Sequence, residues 1–276
     1  ILASADAVNE EERIDFDGMN LTMDVNGSFA FEGSMTMAGG ARLELEGPEA
    51  GFSGSLSSGD DGTATVSASG SLVLGLDSQM DVRSDATLQL ECQALDMNGT
   101  TFIRRNGELD LRNAGNGNVV NSGNMFSLGD STVVANTLIN AGSLSTAGNY
   151  ICDLNNTGSL KVNDETILFG DLSNDALVSV NRGPLYVFGS ITNNGQIYGE
   201  VDNGPVRNSG GSFDIGESYI AGPDSSINLP DSNWTLSVGG DFDIAITDSN
   251  DFNMQNSTLI LTGQAGGDRT FEAMAT

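Results

Sequence analysis

The sequence predicts an all-β protein built as a parallel β-helix, a β-solenoid in which one ribbon winds in stacked turns. Three observations predict it. An apolar residue, Asn, a spacer and Gly recur through the middle of the chain, in "VVNSGNMFSLG", "LINAGSLST", "LNNTGSLKV", "ITNNGQIYG" and "VRNSGGSFDIG". Apolar residues after each motif fall at every second position, the period of a strand with one buried face. Glycine contributes 36 residues, enough to furnish a corner at every repeat.

Taken in chain order, residues 1–14 read as a cap or linker. Ser4 in "SADAVNEEER" suits the N-cap of a short acidic helix, which would cover a strand edge otherwise open to aggregation. The solenoid is expected over residues 15–230. Its first part, "NLTMDVNGSFAFEGSMTMAGGARLELEG", splits alternating strands at Asn26-Gly27, Gly33 and Gly39-Gly40. Asn-Gly between alternating runs is also a hairpin signal. A twisted antiparallel meander is therefore the alternative for residues 15–75, and a multi-strand sandwich for the chain as a whole. The following "SGSLVLGLDSQMDVRSDATLQLECQALDMNGTTFIRRNGELDLRN" favours continued coiling.

The clearest repeats occupy residues 113–215. They align on Asn121, Asn140, Asn156, Asn174, Asn193 and Asn208, at steps of 19, 16, 18, 19 and 15 residues. Gly123, Gly142, Gly158, Ala176, Gly195 and Gly210 follow two positions later. Residues 231–276 keep the alternation but lose the Asn-x-Gly phase. They read as C-terminal coils or a cap, or as the lead into a longer chain. At 17 to 20 residues per coil, the chain would make roughly 14 to 16 coils and a rod of about 70 Å.

Residue chemistry gives the corners a role. Gly and Asn are expected there because a tight bend calls for positive φ. Equivalent asparagines on successive turns would stack, their amides hydrogen-bonding along the column and to nearby backbone. The asparagines are therefore read as structural.

Composition narrows the function. Asp and Glu number 38 against 10 Lys and Arg, with no His, a formal charge of −28. Phosphate recognition needs clustered cations, so nucleic acid is not an expected partner. No apolar run reaches the roughly 18 residues of a membrane span, and membrane insertion is not expected either. Without His, Ser-His-Asp and Cys-His catalysis are excluded, as is ordinary zinc hydrolysis. Cys92 and Cys152 should lie roughly 15 Å apart across the intervening coils and remain free, buried thiols. The single tryptophan, Trp234, is expected to pack in the core or a cap. Asp241, Asp243, Asp248 and Asp251 in "GDFDIAITDSND" are the one candidate oxygen-ligand set for calcium. An acidic turn is the competing reading. No other cofactor is expected.

The motifs "NSGNM", "NAGSL", "NNTGSL", "NNGQI" and "NSGGSF" resemble the repeats of secreted bacterial β-solenoid surface proteins, the filamentous-haemagglutinin-type adhesins and autotransporter passenger domains. The resemblance covers residues 113–215. It implies a right-handed helix, export, and an adhesive or filament-forming role. The expectation is a non-enzymatic extracellular structural protein, a rod-like segment of a cell-surface adhesin, sheath or filament. Its partners would be copies of itself or neighbouring surface proteins, with a glycan as a further candidate. The alternatives are a β-helical polysaccharide lyase or hydrolase, and a viral fibre or tail component. The termini read as those of a processed chain or of a piece of a longer one.

Overall fold

A computed structural model of the chain describes residues 13–24, 28–181, 183–199, 211–229, 234–248, 250–254, 257–262 and 271–273. The expected helical cap before Arg13 and the repeat asparagine Asn208 lie outside these residues. The described strands belong to one sheet, and every strand pairing is parallel. They wind as a β-solenoid of about 10 turns. Each turn carries three strands, one on each of three faces. In one early turn these are Ser34–Ala38 on the first face, Arg42–Glu46 on the second and Glu49–Phe52 on the third. The next turn repeats them one step along the axis as Ser55–Ser58, Gly62–Ala68 and Ser71–Leu74.

Neither antiparallel alternative is found. Strands Arg13–Asp17 and Asn20–Asp24 pair in parallel with Ser34–Ala38 and Arg42–Glu46, one turn on. The same three columns continue past residue 231, where Thr235–Val238, Phe242–Ile244 and Thr258–Leu261 stack on the turns before them. Fewer turns are present than the repeat spacing implies, because the short repeat is local. Ser34 pairs with Ser55 and Ser55 with Gln79, steps of 21 and 24 residues. Only the central turns shorten to between 16 and 19 residues. At about 4.8 Å per turn the solenoid is roughly 50 Å long.

Alternation sends every second side chain inward, and stacking places like on like. Down the first face the inward column runs Met35, Leu56, Met80, Thr101, Met125, Leu144, Leu160, Val178 and Ile197. All are at most 2 % exposed. Burying one such apolar side chain contributes about 1.5–3 kcal/mol, but only if a turn lies above and below it. Stability therefore resides in neighbouring turns rather than in any single one.

Corners use glycine for two different reasons. Between the first and second faces the bend needs a left-handed residue. Gly39, Gly40, Gly62, Gly148 and Gly183 have positive φ there, and so do Asp85, Asn106 and Asp130. Asn106 Nδ2 also donates to Asp85 Oδ1 of the turn below at 2.9 Å. The Asn-x-Gly corner, between the third and first faces, is different. Neither its asparagines nor Gly123, Gly142, Gly158 and Gly195 adopt positive φ. These glycines are required by close approach: a Cβ on Gly142 would collide with the carbonyl oxygen of Gly123 in the turn below. The positive-φ rationale for this corner is thus replaced by crowding between stacked turns.

After Gln196 the turn widens, since Gln196 pairs with Ser226, 30 residues on. Trp234 fills the enlarged interior. It is 1 % exposed, lies 6.0 Å from the ring of Phe213, and occupies the space left where Gly199 and Gly211 lack side chains.

Both cysteines are buried and free. Burial raises the Cys92 thiol pKa, and burial followed by the Asp153 charge pushes Cys152 up to about 12. Folded protein is therefore expected to leave both thiols unmodified by a disulfide-exchange reagent from pH 7 to 9, with both titrating once denaturant is added. Fast labelling of either one without denaturant would contradict this placement.

Candidate functional site

At the end of the third face, Asn121, Asn140, Asn156, Asn174 and Asn193 stand one above another in register. All are at most 1 % exposed. Each Nδ2 donates to the Oδ1 of the next asparagine, at 2.9 Å from Asn121 to Asn140 and 2.8 Å at each later step. The second N–H is directed at the backbone of that next turn, reaching the carbonyls of Ser143, Ser159, Leu177 and Gln196. A buried amide left unpaired costs about 1–3 kcal/mol, and here both donor hydrogens are used. Aligned amides also polarise one another along the chain of bonds.

The column has defined ends. Below Asn121 the same position is taken by Met97, and then by Leu74, Phe52 and Phe31. Asn121 Oδ1 is accordingly buried without a partner. At the other end Asn193 Nδ2 reaches Tyr219 Oη at 3.4 Å and the Ser226 carbonyl at 3.2 Å. Burial raises the Tyr219 hydroxyl pKa above its ordinary value, which keeps the phenol protonated. Ala221 then occupies the position above Asn193, and the column ends.

A second ladder, unseen in the sequence, runs at the corner between the second and third faces. Asp171 N donates to Asp153 Oδ1 at 3.0 Å, and Ser190 N to Asp171 Oδ1 at 2.8 Å. Ser218 N then donates to Ser190 Oγ at 3.3 Å and Asp241 N to Ser218 Oγ at 3.2 Å. The available signal was the recurrence of short acceptors Asp, Asp, Ser and Ser at these spacings.

This ladder places the first calcium candidate. Asp241 is its last rung, contributing a backbone N–H while its side chain is exposed. Asp243 lies on the outer surface of the third face, opposite Ile220. Asp248 folds its own loop, accepting from Asn250 N and Nδ2 at 2.9 and 2.8 Å, and the Asp251 carbonyl accepts from Ile227 N. The four aspartates are thus distributed over two corners and a face. Among the described residues no three acidic or cysteine side chains converge into a cage for a metal ion.

Elsewhere the acidic surface is held in part by arginine. Arg42 spans Glu44 and Glu91, Arg83 pairs with Asp60, Arg104 with Asp81 and Arg112 with Asp110. Such exposed pairs contribute at most about 1 kcal/mol each. Asp110 differs, its side chain being 6 % exposed. Burial works to raise its pKa, but the hydrogen bonds and charge of Arg112 outweigh this and hold it below the usual carboxylate range.

One surface feature departs from the acidic, polar exterior. Along the edge of the second face Val134, Ile151, Phe169 and Phe188 stack on successive turns. Exposure rises along the column, from 8 % at Val134 to 45 %, 47 % and 60 %. The rings of Phe169 and Phe188 are stacked, 4.9 Å apart and 10° from parallel. Ile167 and Tyr186 stand beside them on the same face, half-buried.

No family model, curated protein or solved structure matches this chain.

Proposed function

We propose that the chain is a rod-like structural segment of an extracellular assembly, a cell-surface adhesin, sheath or filament, and has no catalytic role. The observation that carries this reading is the continuous in-register stack, locked over its central turns by the buried amide column. A slip of one residue would set an asparagine against apolar core and leave its amide unpaired, at a cost of about 1–3 kcal/mol per position. Such a lock favours a single register and a stiff rod. The formal charge of −28 keeps the outer surface solvated and opposes random aggregation.

Electron microscopy of the native source, with an antibody against the folded chain, is the test. Label is expected on thin rods at the cell surface or within longer extracellular assemblies. Label confined to short, unattached particles, or to the cell interior, would overturn the proposal.

A further inference from the structure

The Phe169–Phe188 stack ends at a notch. The residue stacked over Phe188 is Gly216, and over that is Gly239. Neither carries a side chain, so the column offers nothing to cover the outer side of the Phe188 ring. Two carboxylates stand beside the gap. Asp214 projects outward in the turn above, directly over Tyr186, with its Oδ2 held by Ser212 Oγ at 2.8 Å. Glu217 follows Gly216 and bends down toward the Phe188 turn, accepting from Ser190 Oγ at 3.2 Å through Oε2.

We infer that this notch is a docking site for an arginine side chain of a basic partner polypeptide. A guanidinium is planar and weakly hydrated, so it stacks on an aromatic ring and keeps its edge N–H groups free for carboxylates. Phe188 offers the ring, Asp214 and Glu217 offer the charge, and the two glycines leave room for the side chain to lie over the ring. Charge complementarity selects the partner. A chain of charge −28 repels its own copies, and Arg42, Arg83, Arg104 and Arg112 are already held by its own carboxylates. The occupant is therefore a different, basic chain, attracted over long range and then seated by stacking.

The test is anisotropy of a dye-labelled peptide of four Arg-Gly repeats, titrated with the full chain. Saturable binding is expected, weakening as salt is added. Phe188→Ala is expected to weaken it about fivefold or more, and Asp214→Asn with Glu217→Gln to do the same. A Lys-Gly peptide should bind less tightly, because an ammonium lacks the planar stack. Phe188 is exposed, so its removal is expected to leave the unfolding midpoint unchanged, and the carboxylate pair provides a second, independent readout. Absent binding, or equal binding by Phe188→Ala or by the Lys-Gly peptide, would overturn the inference. So would a neutral oligosaccharide that displaces the peptide, or a dimer of this chain abolished by Phe188→Ala.

Discussion

Asn140→Leu is expected to destabilise the solenoid by about 3 kcal/mol, whereas Asn121→Leu should cost about 2 kcal/mol less. The difference follows from the polarity of the column. Asn156 Oδ1 accepts from Asn140 Nδ2, so Asn140→Leu strands a buried acceptor and one amide hydrogen of Asn121. Asn121→Leu also strands an acceptor, on Asn140, but removes one that is already without a partner. The number of orphans is then unchanged. Replacing all five asparagines together should cost far less than five times the single central change, because an apolar column can pack on itself as Phe52, Leu74 and Met97 do below. Denaturant midpoints of the three variants check this. Equal losses at Asn121 and Asn140 would show that the amides act singly and not as a column.

The second large effect belongs to the corner glycines. Gly142→Val is expected to cost about 3 kcal/mol or more, since the added carbons meet backbone that cannot rotate away. The atoms in the way are the carbonyl oxygen of Gly123 and, at 2.6 Å from an added Cβ, that of Ser122. Gly40 is the control. Its φ is +82°, with nothing within 4 Å of an added Cβ. Asparagine tolerates the left-handed region, so Gly40→Asn should be nearly neutral. Gly142→Asn should be almost as damaging as Gly142→Val. If the two Asn substitutions had equal effects, conformational preference would govern both corners, and the crowding account would fail.

What the sequence made legible follows the same physics. Asparagine is out of place inside a β core, so its recurrence before glycine marked the amide corner and, with the period-two alternation, the solenoid. The turns below were harder to read. There Phe31, Phe52, Leu74 and Met97 hold the equivalent position and look like any other core residue. The central spacing was therefore extended to the whole chain, and the number of turns came out too high. The reason for glycine was also misplaced, because positive φ and close approach leave the same letter. Asp85, Asn106 and Asp130 mark the left-handed corner without any glycine at that position. The ledge of Phe169 and Phe188 was invisible for another reason. Each reads as one more apolar residue after a strand, and only stacking shows that both point outward and meet.

The column itself is tested most directly by NMR exchange of the asparagine side-chain amides in protein labelled with nitrogen-15 at asparagine. If Asn140, Asn156 and Asn174 are linked in a sealed ladder, their Nδ2 protons will persist in heavy water long after those of exposed asparagines such as Asn194 have gone, and each will show a cross-peak to the next rung. Side-chain amides that all vanish within the dead time would mean that water reaches this corner freely, and that no such ladder joins the turns.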